Sequence, residues 1–129
     1  MSQPTIGFLG IGLMGAPMVA RLLDAGFSLT LWNRTPAKAE AFAGRVRLAA
    51  SPADAVADAD VVITMLESGQ VVEQVLYQSG AISQLRQGAL VIDMSSIEPG
   101  VARRHAARVE ALGGDYLDAP VSGGTRGAE

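Results

Sequence analysis

Gly10-Ile11-Gly12-Leu13-Met14-Gly15, close to the start of the chain, has the residue types and spacing to hold a pyrophosphate. In this pattern the first glycine makes a tight turn and the second lets the backbone approach phosphate. The third lets a helix pack closely on the preceding strand. A helix opening from this loop would aim free N–H groups and its positive end at the same anion. The alternative is a packing turn of no chemical consequence. The loop's place between a short β-rich run, Thr5–Leu9, and an apolar-periodic segment favours the phosphate reading.

A second group follows about twenty residues on. Dinucleotide-binding domains that take NAD usually place an acid there, to bond the ribose hydroxyls. This chain reads Trp32-Asn33-Arg34-Thr35, with no acid before Glu40. A guanidinium at that point bonds a 2′-phosphate and can stack on a base. Asn33 and Thr35 add neutral hydrogen-bonding groups. The turn therefore predicts NADP, with NAD as the alternative. The competing reading is an ordinary polar turn whose arginine is solvated.

These groups must be held by strands and helices, and Gly and Pro divide the chain accordingly. Strands are expected at Thr5–Leu9 and at residues 27–32, 61–66, 89–94 and 116–119, with a weak one near 46–49. Helices are expected at residues 13–25, 36–43, 71–78 and 99–112, and a short one after Ser51-Pro52 that Ser51 can cap. On the first helix Met14, Met18, Leu22 and Ala25 fall on one face. Gly26 would end it with a positive φ. Strands that are apolar at nearly every position, such as Val61-Val62-Ile63, suit a sheet covered on both faces. Alternation at this spacing predicts an α/β fold, a Rossmann-type doubly wound parallel sheet in three α/β/α layers, over residues 1–129.

Composition narrows the function classes. The net charge of −3 offers no footprint for nucleic acid or an anionic membrane. No apolar run approaches the roughly 20 residues of a membrane span, and the first ten residues lack a signal peptide's basic start. With no cysteine and one histidine, thiolate chemistry and a zinc site are not expected. His105 falls on the apolar arc of its helix with Val101, Ala102 and Val109, as a packed or half-buried side chain. A cytoplasmic location is expected.

The runs GFLGIGLMGAPM, WNRT, ITML, DMSSIEPG and DAPVSGGTRGAE, in this order, resemble the N-terminal domain of the β-hydroxyacid dehydrogenases. That family includes 3-hydroxyisobutyrate dehydrogenase and tartronate semialdehyde reductase and is related to 6-phosphogluconate dehydrogenase. DAPVSGG is the most specific of these runs. The resemblance implies that Met65 and Leu66 lie along the cofactor, and that Ser96 sits beside the nicotinamide ribose and the substrate. It implies that Ser122, Gly123 and Gly124 hold the substrate's carboxylate and hydroxyl. The alternatives are that Ser95 and Ser96 merely cap the helix starting near Pro99, and that the Ser-Gly-Gly segment is a flexible exit from the last strand. Asp93 and Asp118 are expected to orient their loops by local hydrogen bonds. The chain has Met65-Leu66-Glu67 where the family often has Met-Leu-Pro, which puts the shape of that loop in doubt.

The implied activity is an NADP-preferring oxidoreductase that interconverts a short 3-hydroxy acid and its semialdehyde. The partners expected are a small hydroxy-acid or semialdehyde substrate and, for the full-length protein, further copies of itself. The family's catalytic lysine lies about fifty residues past the Ser-Gly-Gly segment, beyond Glu129, on the way to an all-helical second domain. The one lysine here, Lys38, follows the arginine turn. No catalytic residue is therefore expected within this chain, and on its own it is expected to be inactive. Two other readings remain: a stand-alone dinucleotide-binding module and an imine reductase-like enzyme. DAPVSGG speaks against the latter, because an imine has no carboxylate to hold there.

Overall fold

The computed structural model describes residues 4–57, 59–66, 68–95 and 97–119, with backbone alone for residues 12–14, 36 and 38. Six strands form one parallel sheet in the order β3-β2-β1-β4-β5-β6. They are β1 (Thr5–Leu9), β2 (Ser28–Trp32), β3 (Arg47–Leu48), β4 (Val61–Thr64), β5 (Leu90–Asp93) and β6 (Asp115–Asp118). β1 pairs with β2 on one side and β4 on the other. The chain thus winds outward in two directions from β1, and the reversal opens a crevice at the carboxyl ends of β1 and β4.

Helices cover both faces. α1 (Gly12–Asp24) and α2 (Pro36–Glu40) lie on one. The core there is Ile6, Phe8, Ile11, Val19, Leu29, Leu31, Ala39 and Ile63, with Met18 and Leu22 packed against it. The face expected of α1 is only partly the one observed: Val19 is fully buried while Ala25, its C-cap, is exposed. Gly26 follows at φ +92°, donating its amide to the Leu23 carbonyl. A side chain would strain that turn, and glycine ends the helix as expected.

On the other face lie α3 (Pro52–Ala57), α4 (Gly69–Val72), a 3₁₀ turn (Ala81–Gln84) and α5 (Pro99–Ala111). Ser51 caps α3, its hydroxyl accepting the Asp54 amide at 3.2 Å. The expected single helix over residues 71–78 is instead the short α4, capped by Ser68, running into a π-helix, Glu73–Gln78. The wider turn narrows the arc over which Val75, Leu76 and Tyr77, three successive buried residues, are spread. The expected helix over residues 36–43 stops at Glu40 and tightens into turns, with Phe42 and Ala43 donating back to Ala39 and Glu40.

Candidate dinucleotide site

The carboxyl ends of β1, β2 and β4 are tied to one another by backbone and side-chain hydrogen bonds. The Gly10 amide donates to the Trp32 carbonyl at 2.9 Å, and the Met65 amide to the Leu9 carbonyl at 2.9 Å. Asn33 fastens the second strand to the glycine loop: its Oδ1 accepts the Ile11 amide at 3.0 Å, and its Nδ2 donates to the Thr35 carbonyl at 2.9 Å. Both ends of this carboxamide are thus engaged within the protein.

Gly10 has φ +93°, and a Cβ there would lie 2.4 Å from the Met65 carbonyl oxygen and 2.6 Å from Leu66 Cδ2. No other residue fits so close an approach of two loops. At Gly15 a Cβ would stand 2.8 Å from the Gly10 carbonyl oxygen and 3.4 Å from the Phe8 ring. That glycine lets α1 lie directly on β1. The N-cap of α1, Ile11, makes no side-chain capping bond, and the first turn carries no acid. The helix start therefore offers its N–H groups and positive end to an anion, a donor set that fits a pyrophosphate.

These loops enclose a cleft of about 120 Å³ lined by Gly10, Ile11, Trp32, Asn33, Arg34, Thr35, Met65, Leu66, Val71 and Val75. Seven of the ten are residues that the sequence singled out. Among the described residues no acidic side chain lines it, and Arg34 is exposed and has no ion-pair partner. Trp32, Val71 and Val75 are additions. Local periodicity places the valines on a helix without saying which loop that helix faces.

Other residues fall as follows. Gly12, Leu13 and Met14 form the first turn of α1. Ser96, Glu67, Ser122, Gly123 and Gly124 lie outside the described residues. Ser95 does not cap α5: the N-cap is Glu98, without a side-chain bond, and the Ser95 hydroxyl accepts the Leu66 amide at 2.8 Å instead. Asp93 does orient its loop, accepting the Ser95 amide at 3.0 Å. His105 is buried, stacked on Tyr77 with centroids 4.2 Å apart and Nε2 3.3 Å from Glu73 Oε1.

A family model described as the NAD binding domain of 6-phosphogluconate dehydrogenase matches residues 5–129. The chain belongs to that family. Among relatives, an NAD-dependent L-serine dehydrogenase of Pseudomonas aeruginosa is 42% identical over 125 residues, 95% of this chain and 42% of that protein. The solved 3-hydroxyisobutyrate dehydrogenase of Mycobacterium tuberculosis with L-serine superimposes at a TM-score of 0.89 and 42% identity, over 97% of this chain and 43% of that one. An imine reductase of Myxococcus stipitatus in complex with NADP+ does so at 0.88 and 31% identity, over 95% of this chain and 43% of that one. The chain spans 38% to 44% of the length of the curated relatives it matches. It is a Rossmann-type NAD(P)-binding domain of this family.

Proposed function

We propose that the chain is the cofactor-binding part of an NADP-preferring oxidoreductase that interconverts a short 3-hydroxy acid and its semialdehyde. The observation that carries this reading is the cleft itself, which gathers the glycine loop, the Asn33-Arg34-Thr35 turn and Met65-Leu66 at the switch point of the sheet. Within it the amides of Gly12, Leu13 and Met14 bind the pyrophosphate, with Gly10, Ile11 and Gly15 setting the turn. Arg34 and Thr35 bond the 2′-phosphate, while Asn33 keeps that turn against the glycine loop. Met65 and Leu66 exclude water along the dinucleotide, and Ser96 contributes a hydroxyl near its nicotinamide end. Bound nicotinamide dinucleotide supplies or accepts the hydride.

Ser122, Gly123 and Gly124 are proposed to hold the substrate's carboxylate, a hydroxyl and unobstructed amides being suited to it. Lys38 follows Arg34 on α2, at the adenosine side, and is not assigned to the reaction. The chain alone is proposed to bind cofactor without turnover, in the cytoplasm. The L-serine and 3-hydroxyisobutyrate dehydrogenases among the relatives act, by their names, on short hydroxy acids, which favours that substrate class over imines.

The relatives divide on the cofactor, one named NAD-dependent and one bound to NADP+, and Arg34 is the residue proposed to set the preference here. A hydrogen bond to a charged group contributes roughly 1.5–3 kcal/mol, and each 1.4 kcal/mol is about tenfold in affinity. Calorimetric titration is expected to show NADPH binding more tightly than NADH, and Arg34→Asp reversing that order by at least about tenfold. Tighter NADH binding by the wild-type chain would overturn the arginine's role.

A further inference from the structure

A buried carboxylate reaches the cleft wall through two successive hydrogen bonds. Asp93, 1% exposed, ends β5 opposite Thr64 of β4. Its Oδ1 accepts the Ser95 amide at 3.0 Å, and its Oδ2 takes the Tyr116 hydroxyl at a longer 3.4 Å. Ser95, also 1% exposed, offers its hydroxyl to the Leu66 amide at 2.8 Å, a bond between residues 29 positions apart. Leu66 and the Met65 carbonyl are the groups that stand against Gly10. The position of the glycine loop's facing wall therefore depends on a serine whose own backbone is fixed by a carboxylate.

Such an arrangement is costly for a mere strand end. An ionised carboxyl in the core needs hydrogen-bond donors or a cation. Asp93 has an amide and a phenol, and no cationic partner among the described residues. Tyr116 remains a donor throughout the ordinary pH range, since burial and the neighbouring Asp93 push its phenol upward. An apolar residue would end β5 at less cost, yet it would leave the Ser95 amide without its acceptor and the Leu66 wall unfixed.

We infer that the Asp93–Ser95 pair is a positioning device for the dinucleotide cleft, holding the Met65-Leu66 wall at the distance the glycine loop requires. The inference rests on the dinucleotide reading of that cleft. In the wild-type chain without ligand, the Leu66 amide, bonded to the Ser95 hydroxyl, is expected to be protected from hydrogen exchange. Ser95→Ala is expected to speed that exchange about tenfold and to weaken NADPH binding by a similar factor, with a native circular dichroism spectrum. Ser95→Thr, which keeps the hydroxyl, restores both to within about twofold. Asp93→Ala follows Ser95→Ala, and Asp93→Asn, which keeps an acceptor, rescues it. If Asp93→Ala does not fold, the two serine variants and Asp93→Asn carry the test. A fold-stabilising role alone would lower the unfolding temperature of Ser95→Ala and leave the NADPH affinity of the folded protein unchanged, which overturns the inference. Unchanged Leu66 protection in Ser95→Ala overturns it as well. Failure of the wild-type chain to bind NADPH or NADH removes the dinucleotide reading itself, while the exchange data still report on the clasp.

Discussion

At the scale of single residues, Asn33 and Arg34 are neighbours with opposite duties. Arg34 is exposed, with no side-chain hydrogen bond among the described residues, and is the residue proposed to meet the ligand, whereas Asn33 spends its oxygen on the Ile11 amide and its nitrogen on the Thr35 carbonyl. Asn33→Ala leaves the part-buried Ile11 amide without its acceptor, which costs roughly 1–3 kcal/mol, while the exposed Thr35 carbonyl can turn to water. Stability is expected to fall by about 1 kcal/mol in urea, and NADPH and NADH affinity to fall together, since the loop both share is loosened. A change confined to NADPH would show that Asn33 contacts the 2′-phosphate rather than the loop. The glycine pattern and the arginine turn were legible in the sequence because each works through backbone freedom or charge, which local spacing reports. The Ser95–Leu66 bond was not, because no local pattern links two residues on separate crossovers.

At the scale of elements, the alternation of strands and helices was legible from apolar runs and from Gly and Pro, and β1 matches its expected bounds. The π-helix was not, because its residues read equally well as α. That segment brings Tyr77 into the core, where its hydroxyl has no hydrogen-bond partner among the described residues, and stacks it on His105 of α5. Arg108 Cζ lies 5.5 Å from the same ring centroid. Burial, first, and the neighbouring Asp93 raise the Tyr77 phenol above its ordinary value of 10.0. Tyr116 is raised for the same two reasons. A raised folded pKa means that the unfolded chain loses its phenolic protons first. The stability these two residues carry is complete below about pH 10 and falls as pH rises above it. Tyr77→Phe removes one of the two contributions and an unpaired buried hydroxyl. Thermal unfolding is expected to show the variant as stable as wild type or up to about 1 kcal/mol more so at neutral pH. Its decline above about pH 10 should be shallower. Loss of more than about 1 kcal/mol at neutral pH would mean that the hydroxyl has a partner.

At the scale of the whole molecule, the sheet order puts the short loops that follow β1 and β4 side by side, and the cleft lies where they meet. Winding outward from β1 leaves that crevice unoccupied by any helix, so the site is a consequence of the topology before any side chain is chosen. Binding of a dinucleotide in the cleft on the Gly10–Gly15 loop is tested by calorimetric titration of NADPH into the wild-type chain and into Gly12→Val. Valine there places a branched side chain in the first turn of α1, where the pyrophosphate must come close to backbone. A saturable isotherm is expected for wild type and a loss of at least about tenfold for the variant, with both circular dichroism spectra alike. Equal affinity in the two proteins, or no binding by the wild type, would contradict it.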